Sequence, residues 1–352
     1  MKKSWKKIVG VVAFIALNAL VIAFTAANEF GNSKNATKLS DVHINGWLLV
    51  PALGLFVLAT IANIYKYVLM IRRSENKENK MRRTEAWKLA WRVVMLGKYY
   101  DNITPAAIGG QPFQIYYMHK NSKLSSGHAT SIPIFGMIAG QIGFLILAIP
   151  FFIYNSIFGK NAALMTLAWV GLLFYAFWPV MIAGISFAPK ATTKFLQFIT
   201  KILAKVKIVK SREEALTKVE SEVTEYAESV KMILKSRGLF AETIVLSVIY
   251  TALTIAIPYF VLTAFGGNVG FVECFILTLA VTSSVYFVPT PGNAGAAEGT
   301  FYVVFSALSQ GYVFWAMLVW RFFSYYIYIL IGPLIYLAMQ VEKKREKNFT
   351  KS

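Results

Sequence analysis

The sequence predicts an all-α integral membrane protein of about seven to eight transmembrane helices, with one or two re-entrant or broken Pro-Gly segments and both termini cytoplasmic. Three observations predict it. Of 352 residues, 57% are hydrophobic and 15% charged, with a mean hydropathy of +0.54, far too apolar for a soluble chain of this length. Apolar runs of about 20 residues, the length that crosses about 30 Å of hydrocarbon, recur from end to end. Lys and Arg gather in blocks between those runs, on one side.

Taken in order, the first run spans 8–27 behind Lys2, Lys3, Lys6 and Lys7. It resembles a signal peptide with Thr25-Ala26-Ala27 as a cleavage site, but signal cores run about 7 to 15 residues, so an uncleaved anchor is the reading. Spans follow at 46–71, 131–155, 162–187, 241–265, 271–288 and 312–339. Between the second and third runs, Leu96 to Gln114 holds Pro105, Gly109, Gly110 and Gln111 between two basic flanks, Arg82 to Arg92 and Lys120 to Lys123. Flanks of one sign give a re-entrant hairpin that enters and leaves on one side; a kink plus an interfacial loop is the alternative. The stretch 190–237 is the one sizeable polar region, read as a cytoplasmic helical arm of a single polytopic domain covering 1–352. Ser211 and Glu214 have the spacing of a capping box, and Leu216, Val219, Val223, Ala227, Val230 and Leu234 make one apolar stripe.

The second interruption is Pro289-Thr290-Pro291-Gly292-Asn293-Ala294-Gly295-Ala296-Ala297-Glu298. Proline removes a donor and glycine weakens a helix, so at bilayer depth such a segment needs cover from protein or a wet cavity. The crossing count leaves two readings open: 294–311 is one broken span, or 288–298 dips back as a half-helix before the chain crosses. Two Pro/Gly-interrupted segments, one in each half, are the pattern of a transporter's central site.

A net charge of +19 raises nucleic acid as a partner, and its placement argues against that. Most of the Lys and Arg lie in the N-terminus, 72–92, 120–123, 190–237 and the tail from Lys343, the cytoplasmic side by the positive-inside rule. The single Cys274 and three scattered histidines exclude disulfide and zinc chemistry, and no cofactor is implied. No nucleotide-binding loop or hydrolase motif is present.

Glu298 and Arg321 form the sharpest candidate pair. Arg321 lies in an otherwise uncharged final span, where an unpaired charge costs at least about 2.5–3.5 kcal/mol. Either it pairs with Glu298 to pin the broken segment, or it engages a lipid phosphate with Glu298 holding it. Pro289, Pro291, Gly292, Asn293 and Gly295, with Gly109, Gly110 and Gln111, complete the candidate lipid-binding set. Their glycines admit close backbone approach, and a helix starting near Ala296 offers amides to a phosphate; close helix packing is the alternative. Lys66 is read as snorkelling to the interface from near Arg72, Gln141 and Asn63 as interhelical hydrogen-bonding residues, and Trp87, Trp91, Tyr99 and Tyr100 as an aromatic belt.

At Gly109-Gly110, at Pro289-Thr290-Pro291-Gly292 with Gly295 and Glu298, and at Arg321, the chain resembles the transmembrane region of lysylphosphatidylglycerol synthases, the flippase-like or multiple peptide resistance factor family. The likeness covers most of the chain. It implies a bacterial cytoplasmic-membrane protein that moves phospholipids or glycolipids between leaflets, with re-entrant segments lining a lipid cavity. Full-length synthases carry a cytoplasmic aminoacyltransferase domain after the membrane part, whereas this sequence stops at Ser352. The expectation is therefore a protein that does not charge lipid itself, whatever lysyltransferase label the family carries. Relatives often have an Arg and an Asp where this chain has Gly140-Gln141-Ile142-Gly143. The functional expectation is transbilayer translocation of an anionic, aminoacylated or glycosylated lipid. The alternative is a membrane subunit of a lipid-modifying system linked to cationic antimicrobial peptide resistance, docking its enzyme through the Lys190 to Arg237 arm. Homo-oligomerisation is left open.

Overall fold

The computed structural model describes residues 44–74, 81–105, 107–158, 162–188, 235–286, 288–306 and 312–349, with Ala23 and scattered positions between 190 and 231. The expected first span at 8–27 and most of the expected arm at 190–237 lie outside the described residues. In chain order the helices are α1 (Leu49–Arg73, led by a 3-10 turn at Gly46–Leu48), α2 (Arg83–Ile103), α3 (Gly110–Asn121), α4 (Ser126–Phe158) and α5 (Ala162–Phe187). There follow α6 (Arg237–Ala264), α7 (Phe271–Ser284), α8 (Ala296–Ser306), α9 (Val313–Arg321), a π-helical turn at Phe322–Tyr326, and α10 (Ile327–Phe349).

Among the described residues, five segments are long and apolar enough to cross a membrane: Gly46–Arg73, Gly127–Ile157, Ala163–Met181, Arg237–Ala264 and Val313–Glu342. Each coincides with a run read from the sequence, because an uninterrupted apolar stretch has only the helix with which to satisfy its backbone in lipid. One expected span needs correction. The run at 271–288 is helical only as α7, whose 14 residues rise about 21 Å, short of the hydrocarbon thickness. It ends early because Val285 opens a turn in which the Asn293 side chain donates to the Val285 carbonyl. The final span stands at Val313–Glu342, with a π turn inside it just past Arg321.

Helix α6 is the hub, packed against α1, α4, α7 and α9. Two buried apolar clusters form around the bundle. One holds Ala52, Phe144 to Phe152, Ile255 to Phe265, α7, α8 and α9; the other holds Ile64 to Ile71, Val93 to Leu96, Ala129 to Phe135, Leu239 and Ile335. Along α6 the side chains between these clusters are Thr243, Ser247 and Thr251, all buried. The core is therefore two apolar layers with a polar one between them.

The crossing of α5 and α7 is tight. A methyl placed on Gly171 would lie 1.8 Å from the Ser283 carbonyl oxygen, a backbone atom, and Ser283 Oγ donates to Ala168 O at 2.9 Å. Gly171→Ala is expected to destabilise by about 1–3 kcal/mol through overpacking. Thermal unfolding in detergent measures it, with Gly184→Ala, which meets open space, as the control.

Candidate functional site

The first broken segment is built by Pro105. A residue before proline is pushed out of the helical region, and Thr104 is extended, with φ −111° and ψ 145°, so α2 stops at Ile103. The chain reverses over 104–109, and α3 packs back against α2. With 12 residues, α3 rises about 18 Å and cannot cross the hydrocarbon. Its first amides are taken by side chains of the preceding helix. Gly109 N donates to Thr104 Oγ1 at 2.9 Å, and Gly110 N donates to Asp101 Oδ1 at 2.9 Å. A methyl on Gly110 would meet that carboxylate at 2.3 Å and Gly97 O at 2.6 Å, so this glycine serves close approach between the two arms. Gln111 is half-buried on the first turn of α3, but the amide that ties the hairpin to the bundle is one turn later. Gln114 Nε2 donates to Val93 O at 3.1 Å and Gln114 Oε1 accepts from Tyr67 OH at 3.4 Å.

The second broken segment repeats the device. After α7 the turn places Gly292, Asn293 and Gly295 at φ of +56°, +57° and +89°, a region that glycine and asparagine tolerate. Pro289 is exposed at its rim, and Thr290 Oγ1 donates to Ala294 O at 2.8 Å. Helix α8 begins at Ala296, where the sequence placed it, and Glu298 reaches back so that Oε2 accepts from Gly295 N at 2.7 Å. The other carboxylate oxygen accepts from Arg321 Nε at 2.6 Å. Arg321 also donates to Gly292 O at 3.3 Å and lies over the Tyr325 ring, 4.5 Å from its centroid. Exposure is 1% for the Glu298 side chain and 5% for that of Arg321, so the pair is wholly interior. Its geometry is that of the pinning alternative: the guanidinium clamps the loop, its cap and the last helix together. In both segments a carboxylate, not an incoming phosphate, holds the amide at the start of the second helix.

The two segments meet. Pro105 and Pro291 form an isolated antiparallel bridge, and Asn102 Nδ2 donates to Tyr325 O at 3.2 Å within the π turn. Pro291, Gly292, Asn293, Gly295, Glu298 and Arg321 thus lie in one constellation, with the Gly109-Gly110 turn on the other arm of the contacting hairpin.

The sequence reading missed the cations beside this junction. Lys66 does not snorkel; it is 3% exposed and donates to Gly136 O at 3.1 Å and Ser247 Oγ at 3.3 Å. Lys98 on α2 lies over the Tyr250 ring, 5.7 Å from its centroid, with Asp101 one turn on. On α4, Gln141 Nε2 donates to Tyr286 OH at 2.8 Å, and Tyr286 has Asp101 and Lys98 as charged neighbours. These residues occupy the polar layer between the two apolar clusters. A signal for them exists in the charge census. Once the basic blocks between the runs and the scattered Lys34, Lys38 and Lys160 are set aside, the remaining cations are Lys66, Lys98 and Arg321, and all three point inward. Among the described residues no three of His, Cys, Asp and Glu are grouped to hold a metal.

A family model described as the lysylphosphatidylglycerol synthase TM region matches residues 8–332. A UPF0104 membrane protein of Archaeoglobus fulgidus is 22% identical over 348 residues, covering 97% of this chain and 99% of that protein. Another, of Pyrococcus horikoshii, is 22% identical over 253 residues, 69% of this chain and 75% of its own length. A third, of Methanothermobacter thermautotrophicus, is 26% identical over 223 residues, 61% and 64% of the two chains. No solved structure matches.

Proposed function

From the premise that the chain belongs to the lysylphosphatidylglycerol synthase transmembrane-region family and is a multi-pass membrane protein, we propose that it translocates a polar-headed lipid between leaflets. The observation that carries this reading is the bridge between Pro105 and Pro291 beside the polar layer at Lys66, Lys98 and Asp101. Irregular backbone and interior charge are both costly in hydrocarbon, and a bundle that concentrates them at one junction gains a path for a headgroup. Two helix pairs, α2 with α3 and α7 with α8, flank that junction and leave the five long apolar segments as the frame. The re-entrant geometry, the cytoplasmic placement of both termini and residence in a cell membrane belong to the same proposal. Three of the relatives are archaeal, so a bacterial home is part of the proposal and not of the comparison.

Reconstitution tests it. Vesicles holding the purified chain and a fluorescent lipid, with a membrane-impermeant quencher outside, are expected to lose more than the outer-leaflet half of the signal. Vesicles without protein stop at that half. A subunit that only presents lipid to a separate enzyme gives the same plateau as empty vesicles, and that result would end the translocation reading.

A further inference from the structure

The polar layer has a sign. Glu298 and Arg321 neutralise each other at 2.6 Å, and the ion pairs at the molecule's basic end join Arg73 to Glu242 and Lys88 and Arg92 to Glu342. Among the described residues, Lys66 and Lys98 belong to none of these pairs. The carboxylate near Lys98 is that of Asp101, and one of its oxygens already caps α3 through Gly110 N. Two lysines and one carboxylate thus lie in the interior of a membrane protein, an excess of basic groups over acidic ones. Lys66 is bonded only to neutral acceptors, a carbonyl and a hydroxyl.

Lys98, Asp101, Tyr250 and Tyr286 lie deep among the helices, and each keeps some accessible surface. Gln141 is 5% exposed, and its Oε1 has no hydrogen-bond partner. Turning the amide over does not remove the vacancy, because one end of it faces Tyr286 and the other nothing. A buried amide end without a partner is uncommon in folded proteins and wants a donor or acceptor from outside the chain.

We propose that this polar layer binds the lipid through an unneutralised phosphate, with Lys66 and Lys98 as the positive groups and Gln141 beside them, and that it discriminates against headgroups carrying an amine. A lysyl or choline head would bring a further cation toward the two already there, whereas a phosphodiester with hydroxylated glycerol offers the missing negative charge and polar partners for Gln141 and Tyr286. The proposal deepens the translocation reading, on which it rests for the ligand being a lipid. It departs from what an aminoacyl-lipid carrier would need.

Binding and movement are measured separately so that the two readings can fail separately. The full chain in neutral detergent is titrated with short-chain phosphatidylglycerol, phosphatidylcholine and lysyl-phosphatidylglycerol, and with inorganic phosphate, by calorimetry. Phosphatidylglycerol is expected to bind at least about 10-fold tighter than the other two lipids, as follows from the cation that each of those brings toward Lys66 and Lys98. Lys98→Met, which keeps most of the side chain's length, is expected to abolish that preference, while Lys98→Arg retains it. Lys66→Met is expected to act likewise, with size-exclusion and melting profiles reporting folding independently. Equal binding of the three lipids, or preference for the lysyl lipid, overturns the charge assignment, as does a preference that survives Lys98→Met in folded protein. Competition by inorganic phosphate as strong as that of phosphatidylglycerol overturns the lipid assignment in favour of a free anion. In vesicles, movement of all labelled lipids at one rate refutes the selectivity and leaves translocation standing. Selective binding with no movement refutes translocation and leaves the site standing.

Discussion

Glu298→Gln is expected to destabilise the protein by about 3–5 kcal/mol, because it removes the countercharge from a guanidinium that has no route to water. Arg321 is 4% exposed, and its remaining contacts, the Gly292 carbonyl and the faces of Trp320 and Tyr325, do not supply a negative charge. The glutamine can still accept one hydrogen bond, yet it gives up the cap on Gly295 N or the bond to Arg321 Nε, since one carbonyl oxygen replaces two carboxylate oxygens. Arg321→Leu strands the carboxylate in the same way. The double variant Glu298→Leu with Arg321→Leu is expected to recover much of the loss, as apolar replacement of a whole buried pair often does. Thermal and denaturant unfolding in detergent, arranged as a double-mutant cycle of the parent, Glu298→Leu, Arg321→Leu and the double variant, gives the coupling. If instead Arg321 serves mainly a lipid phosphate, the single and double variants lose translocation alike while their stabilities stay close to that of the parent. The two roles therefore separate on one set of four proteins.

The framework and the pair were legible because each leaves a local mark. An apolar run of sufficient length has to be helical in lipid, so five spans could be placed within a few residues. Pro105, Pro289 and Pro291 mark where helices cannot continue, and a lone Arg in an apolar run demands a partner, for which Glu298 was the nearest preceding carboxylate in sequence. What was not legible is which way a side chain points once helices pack. Lys66 near Arg72 reads as an interfacial lysine, since about 9 Å of helix rise separates them and a lysine can span that reach. Only the packing of α1 against α4 and α6 turns it inward, onto Gly136 and Ser247. Lys98 sits in an amphipathic helix between aromatic and charged residues, where the local pattern does not favour one face. The meeting of Pro105 with Pro291 is a contact across 186 positions of sequence, and nothing local to either proline announces it.

Gly292→Ala is expected to be the most damaging single methyl in the candidate site, costing about 3 kcal/mol or more, because two independent penalties act on one atom. The backbone there is left-handed, with φ +56°, where an L-residue with a Cβ is disfavoured by about 1–2 kcal/mol. The added carbon would also lie 2.2 Å from Tyr325 Cε2 and 3.3 Å from the Asn102 Cα, and overpacking of this kind adds about 1–3 kcal/mol. Neither neighbour yields easily. The Tyr325 ring is 1% exposed and supports the Arg321 guanidinium, while Asn102 is held by its bond to Tyr325 O. Relief therefore requires the loop to withdraw from α2 and the π turn, which opens the Pro105–Pro291 bridge and lengthens the Arg321 contact to Gly292 O. The measurable outcome is a lowered melting temperature together with faster cleavage or amide exchange across 285–295 and 102–109, both sides of the junction loosening at once. Gly299→Ala, one turn into α8 with open space around it, is expected to change neither. Loosening confined to 285–295 would mean that the two broken segments are only neighbours, and a translocation path that depends on their joint movement would lose its structural basis.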